Sequence, residues 1–344
     1  MKKILVLGGG GFIGSNIVRF LLGRGDCHVT AADVRHSRGW EDVLSNVDMS
    51  SRLRVIQGDF TRKEAFEALG DAFDYVYMMA AVVGVNRTLE YPHEVIRTNT
   101  LLTMNTLDWV SKFPTRRILF ASSSENYAGT SDLFGIDIPT PETVPLCIAD
   151  VRHPRFTYAM TKMHGESAFL HSAKNLGYEC VVVRYQNIIG PAMGFGHAIP
   201  HIVQRFVGGE KSPFKIYGHD QTRAFCYISD AIAGTVGALE CARSAGEIYH
   251  IGNAQEITMD TLTREIGTLM NYRGDYEPAI TYPGSVARRC PDISKSHEHF
   301  GYSPIVDWKR AVALTVNWYR QFFESGAKPE SGGFAPPEQF MHKP

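Results

Sequence analysis

Tyr158 and Lys162 stand four residues apart in Phe156-Thr157-Tyr158-Ala159-Met160-Thr161-Lys162. On a helix that spacing is about one turn, so both side chains leave the same face. A phenol titrates near pH ~10, too high for a base at neutral pH. A lysine ammonium one turn away favours the phenolate by Coulomb attraction. The pair is suited to drawing a proton from an alcohol such as a sugar hydroxyl. Tyr-x-x-x-Lys also occurs on ordinary solvated helix faces, so the surrounding elements decide its meaning.

Those elements begin with Ile4-Leu5-Val6-Leu7, a short apolar run of the kind found in a strand buried on both faces. Gly8-x-x-Gly11-x-x-Gly14 follows at once, and Ser15 to Leu22 has helical periodicity. Strand, glycine turn and helix together are the setting of a dinucleotide-binding fingerprint. Gly8 permits the tight turn, Gly11 a close approach to a pyrophosphate, and Gly14 the packing of helix on strand. The free N–H groups of the helix start then face the phosphates. His28 to Asp33 reads as the second strand, with Asp33 placed to accept from the adenosine ribose hydroxyls. A carboxylate there repels a 2′-phosphate and favours NAD over NADP, although Arg35 and Arg38 lie close by. Leu53 to Phe60 reads as a third strand whose Asp59 and Phe60 contact adenine, with Asp59 also suited to cap a helix. Tyr75 to Ala81 reads as the fourth strand, its small Ala80 and Ala81 letting a flat cofactor lie across the strand ends. A long helix is predicted over Glu94 to Lys112, and a fifth strand from Arg117 into the polar loop Ser122 to Tyr127. Alternating strands and helices up to about residue 185 predict an α/β fold, a doubly wound parallel sheet of Rossmann type.

The 344 residues suit one large domain or two joined ones. With 35 basic and 36 acidic residues the net charge is −1, so no basic field points to nucleic acid or an acidic membrane. The six cysteines form no C-x-x-C pair and no metal-ligand spacing, which suits free thiols in a reducing compartment. No run approaches the ~20 apolar residues of a membrane span, and the apolar run after Met1-Lys2-Lys3 is too short for a signal peptide. A cytoplasmic protein with no metal is the expectation. Past Gly190-Pro191 the elements shorten and Gly and Pro increase, predicting a smaller α/β substrate lobe over 186–325. The first domain then spans 1–185 with a return segment near 224–240, and 326–344 is a loose tail.

The ordered set of motifs resembles the extended short-chain dehydrogenase/reductase superfamily, in its nucleotide-sugar epimerase/dehydratase branch. The matching pieces are Gly8-x-x-Gly11-x-x-Gly14, Asp33, Asp59-Phe60, Ala80-Ala81, Asn99, Ser122-Ser123-Ser124-x-x-Tyr127 and Tyr158-x-x-x-Lys162. Arg184-Tyr185-Gln186-Asn187-Ile188-Ile189-Gly190-Pro191, Gln221 to Asp230 and Arg289 to Ile293 continue the match. The resemblance implies NAD as cofactor, held by the glycine turn with Phe12 and Ile13, and by Asp33, Asp59, Phe60, Ala80, Ala81, Asn99, Ser122, Tyr158, Lys162 and Tyr185. It implies Tyr158 as the base, Lys162 as the group that holds the nicotinamide ribose and lowers the tyrosine's pKa, and Ser123 as the hydroxyl on the sugar 4-OH. It places Asn187 on the substrate phosphate, Ile199 in the loop over the nucleotide, Tyr217 near the base, and Arg223 and Arg289 on the diphosphate. One departure is Met78-Met79 where many relatives have a histidine before the two alanines.

The shared chemistry implied is oxidation of a nucleotide-diphosphate sugar at C4, giving a 4-keto sugar. Return of the hydride to the other face makes a 4-epimerase, the outcome favoured here. Ser124 and Glu125 leave a second course open. A C4 ketone acidifies the C5 proton, and a carboxylate beside C5 would lead to dehydration or decarboxylation, as in relatives with Thr-Ser-Glu at these positions. Glu125 could instead serve as an acceptor for loop amides. A non-catalytic NAD-sensing protein on the same fold ranks lower, since Tyr158 and Lys162 are both present. The resemblance further implies a homodimer through a four-helix bundle built from the helices near Glu94–Lys112 and Phe156–Ala173.

Overall fold

The computed structural model describes residues 1–35, 47–70, 72–281 and 286–327. Arg38 and most of the expected tail, 328–344, lie outside the described residues. A seven-stranded parallel sheet organises the first domain. Its strands are β1 (Lys2–Leu7), β2 (Cys27–Asp33), β3 (Leu53–Gln57), β4 (Tyr75–Met78), β5 (Arg117–Ser123), β6 (Glu179–Tyr185) and a final strand, Glu247–Ile251. The order across the sheet is Glu247–Ile251, β6, β5, β4, β1, β2, β3, with each neighbouring pair parallel. The sequence reverses direction at β1 and β4, the position where ligands enter such sheets.

Successive residues of a strand point to opposite faces, and both faces here are dry. In β1, Ile4 and Val6 enter one core with helices Phe12–Arg24 and Ile228–Glu240. Leu5 and Leu7 enter another with helices Pro92–Val110 and Phe156–Leu176. This two-faced burial is why the strands read as continuous apolar runs.

The helix expected from Glu94 begins two residues earlier, with Pro92 in its first turn, where a proline's missing N–H is no loss. β3 stops at Gln57, so Asp59 and Phe60 sit beyond the strand. Asp59 caps no helix. Its carboxylate accepts from the Thr61 amide at 3.0 Å and hydroxyl at 2.7 Å, closing a turn, and the short helix Lys63–Leu69 starts later without a side-chain cap. The return segment is longer than expected. Helix Ile228–Glu240 covers one face, and Glu247–Ile251 then adds a parallel strand beside β6.

The lobe has its own core, where Phe214, Trp308, Val312 and Tyr319 bring together helices Ala198–Val207, Met259–Leu269 and Trp308–Glu324. A small sheet pairs Thr222–Ala224 with Glu256–Thr258 on one side and Arg288–Arg289 on the other. In that register Arg289 lies opposite Arg223. All six cysteines are free thiols. Among the described residues no helix is long and apolar enough to cross a membrane, and no cluster of metal ligands occurs.

Candidate active site

The parallel strands bring Gly8, Asp33, Ala80, Ala81, Ser123 and Tyr185 to one edge of the sheet. Gly8 has φ of +86°, and a Cβ there would lie 2.5 Å from the Ala80 nitrogen. A Cβ on Gly14 would lie 2.1 Å from the Gly8 carbonyl. Only glycine fits either place, and the space left is a cradle of backbone. Helix Phe12–Arg24 begins after Gly11 with no side-chain cap and no acid in its first turn, so its start is open to an anion. Asp33 steadies the turn by accepting from the Gly10 amide at 2.9 Å and the Arg35 amide at 3.0 Å. This backbone cradle, with a carboxylate at the end of β2, fits a dinucleotide.

Asn99 clamps the segment after β4. It accepts from the Val82 amide at 2.7 Å and donates to the Val82 carbonyl at 3.1 Å and the Thr161 hydroxyl at 3.1 Å. Thr161 lies on the helix that carries Tyr158 and Lys162, so Asn99 ties the segment after β4 to that helix. The Ser122 hydroxyl turns into the interior and donates to Glu166 at 2.5 Å. Phe60 is buried with its ring 5.0 Å from Phe66. Tyr185 is buried too, its hydroxyl 2.8 Å from the Thr235 hydroxyl.

Ser123 stands close enough to Tyr158 for its hydroxyl to favour the phenolate. Ser123 also caps the short helix Ser124–Tyr127, its oxygen accepting from the Glu125 amide at 3.2 Å. That bond fixes which way the serine hydroxyl points. Tyr158 keeps part of its surface open to the cleft, yet desolvation pushes its phenol above the ordinary value. The Ser123 hydroxyl works against that rise and the Glu125 carboxylate adds to it. Lys162 is almost fully buried and donates to the Ala121 carbonyl at 2.6 Å. Burial lowers its pKa to about 8, against the opposing pull of Glu166. The ammonium stands 5.8 Å from the centre of the Tyr158 ring. Burial is thus the largest influence on the phenol in the protein's own field.

Glu125 has a partner that neither sequence reading named. Arg289 donates to its carboxylate at 2.6 Å. Burial pushes the Glu125 carboxyl up, but Arg289, Arg155 and Arg223 outweigh it and hold the group below the usual carboxylate range. Arg289 is thus paired with an acid. Arg223 donates to the Thr222 carbonyl at 2.7 Å. Arg155, three residues before Tyr158, was not foreseen; it donates to Asp132 at 3.1 Å. Ser124 is buried beneath the loop. Asn187 has φ of +44° and donates to the Ala224 carbonyl at 3.2 Å, joining domain to lobe. Asparagine tolerates that conformation better than most residues. Ile199 lies in the lobe core, and Tyr217 is exposed with the Arg205 guanidinium 5.1 Å from its ring centre.

The family model of the NAD dependent epimerase/dehydratase family matches residues 4–252. The chain belongs to that family. Its cofactor is NAD, and it is an enzyme. The chain is similar to a UDP-N-acetyl-alpha-D-glucosaminuronate decarboxylase of Bacillus cytotoxicus, 30% identical over 93% of this chain and 98% of the relative. It is 28% identical to a dTDP-glucose 4,6-dehydratase of Streptomyces antibioticus, over 97% and 98% of the two chains. Its fold matches the UDP-glucuronic acid 4-epimerase of Bacillus cereus, solved with UDP-glucuronic acid and NAD, at a TM-score of 0.80 and 25% identity over 93% and 99%. The three relatives differ in the reaction they are named for.

Proposed function

We propose that the enzyme is an NAD-dependent nucleotide-sugar 4-epimerase acting through a transient 4-keto sugar. Tyr158 takes the proton of the C4 hydroxyl, with Ser123 hydrogen-bonded to both phenol and sugar oxygen. NAD, held by the glycine turn and Asp33, would supply the hydride acceptor and donor at C4. Lys162 adds charge that favours the phenolate and binds the nicotinamide ribose. After the ketone turns over in the lobe, Tyr158 gives the proton back to the new hydroxyl. We assign Arg223, Asn187 and Tyr217 to the path of the nucleotide diphosphate, with Ile199 packed in the lobe core behind it.

The observation that carries the epimerase reading is the Glu125–Arg289 pair. A carboxylate held ionised by a guanidinium at 2.6 Å is a weak base toward a C5 proton. It is equally poor as the acid that a decarboxylase needs to protonate C5. The competing reading, with Glu125 at C5, is favoured by the same residue if substrate draws Arg289 away. The relatives include decarboxylase and dehydratase alike, so product analysis decides. Incubation with UDP-, GDP-, CDP- and dTDP-sugars should give a new isomer of unchanged mass. Loss of water or of carbon dioxide would overturn the proposal.

We extend it to a cytoplasmic homodimer. Helices Pro92–Val110 and Phe156–Leu176 pack side by side on one face of the sheet, and Met104 and Met160 on them are exposed. Pairing by a two-fold axis would bury both. A monomer in sedimentation would refute it.

A further inference from the structure

Beneath the Ser122–Tyr127 loop lies a buried polar chain that the chemistry above does not use. It begins at Glu166, one turn beyond Lys162 on the same helix. Glu166 accepts from Ser122, from Asn126 at 2.8 Å, and from both sides of the Arg184 fork at 2.8 and 2.7 Å. Arg184 also donates to the Tyr127 oxygen at 2.6 Å and to the Glu142 carbonyl at 3.0 Å. Tyr127 then meets His250 Nε2 at 2.6 Å, and His250 Nδ1 meets the Asp292 carbonyl at 2.9 Å. Ser122, Asn126, Tyr127, Glu166, Arg184 and His250 are all buried, and His250 is fully so.

The partners fix the direction of every bond. A backbone carbonyl only accepts, so Nδ1 of His250 carries the proton. In the neutral ring Nε2 is then an acceptor, and the Tyr127 hydroxyl donates to it. That leaves the Tyr127 oxygen free to accept from Arg184. Burial keeps the ring below its ordinary pKa; Glu142 and the Asp292 carbonyl oppose this, while Arg184 adds to it. Asn126 Oδ1 is the one atom of these side chains without a partner among the described residues.

The two ends of the bridge have distinct addresses. Tyr127 is two residues past Glu125, at the end of the short helix that Ser123 caps. Asp292 is three residues past Arg289, in the lobe. We propose that His250 is a positioning residue, bridging Tyr127 and Asp292 so that the lobe segment carrying Arg289 is held in register with the loop carrying Ser123 and Glu125. Catalytic groups tolerate little displacement, and a shift of about 1 Å can lower a rate by about 10²-fold. A bridge of two short hydrogen bonds in a dry interior is a stiff way to prevent one.

Two substitutions each break one half. His250→Gln can still accept from Tyr127 and loses the Asp292 bond. His250→Asn can still donate to Asp292 and loses the Tyr127 bond. Both variants should lower kcat per NAD-loaded site by about tenfold or more while the KM for the nucleotide sugar stays within about twofold. Tyr127→Phe removes one oxygen, is the variant to use if the His250 proteins do not fold, and should behave alike. A merely structural role would lower the melting temperature and leave kcat per loaded site at the wild-type value. Wild-type kcat in either His250 variant, or in Tyr127→Phe, overturns the proposal. The inference rests on Ser123 and Glu125 being in the active site. An inactive wild-type enzyme would sink that premise, whereas an active wild type with unaffected variants would sink only the role of His250.

Discussion

The two corners of the cleft handle charge in opposite ways. At the corner of Tyr158 and Lys162, burial acts against ionisation of both groups, raising the phenol and lowering the ammonium to about 8. At the corner of Glu125 and Arg289, opposite charges are paired at 2.6 Å, and the carboxyl stays below its usual range. A group poised against its charged form can exchange a proton when substrate and cofactor change its surroundings. A group locked into an ion pair holds its protonation state and supplies shape and field instead. Under the proposed function, the first corner does the proton chemistry and the second acts by keeping still.

The sharpest break of this contrast is Tyr158→Phe. Removing the phenol should lower kcat by about 10²- to 10⁴-fold with NAD still bound, as read by turnover and by cofactor released on denaturation. Retention of more than a tenth of the activity would mean that another group takes the proton. Gly14→Ala attacks the cradle that brings the cofactor to this corner. The added carbon meets the Gly8 carbonyl, so the purified variant should lose bound NAD and melt at a lower temperature. An unchanged cofactor content would show that the turn has room to move.

The pH dependence sharpens the first corner further. Lys162 is charged below about pH 8 and neutral above it. Its support for the phenolate is present on the acid side of that value and fades as pH rises through it. Because the phenol titrates above its ordinary value, gain of phenolate offsets that loss, and the kcat/KM profile should level off above about pH 8. A profile still rising at pH 10 would remove Lys162 from the account. The smallest effect belongs to the second corner. In Glu125→Gln the amide oxygen can still accept from Arg289, so epimerase activity should stay within about threefold. A collapse of turnover would make Glu125 a proton carrier and refute the contrast itself.

Much of the first corner was legible in the sequence. Apolar runs such as Ile4–Leu7 are continuous because both faces of the sheet are covered. The glycine spacing is visible because no other residue fits at Gly8 or Gly14. Helix Phe156–Leu176 carries Tyr158 and Lys162 on one face, as their spacing requires. The environment that sets their pKa values was not legible, since it depends on atoms from many elements. The second corner was hidden for the same reason. Glu125 and Arg289 are 164 residues apart in the chain, and Arg289 carries no local sign of its partner. Tyr127 and His250 are separated by 123 residues. Glu166 gave a signal that could have been read, an acid four residues beyond Lys162 on the same helix face. Ser122 lies on β5 as its motif implies, and nothing in the motif shows that its hydroxyl donates to Glu166.

The most direct measurement is turnover in heavy water, with the position of deuterium read in the product. A 4-epimerase returns the same hydride to C4 and leaves C5 untouched, so the isomer should carry no carbon-bound deuterium. Deuterium at C5, or a product lighter by water or carbon dioxide, would place chemistry at C5 and contradict the account.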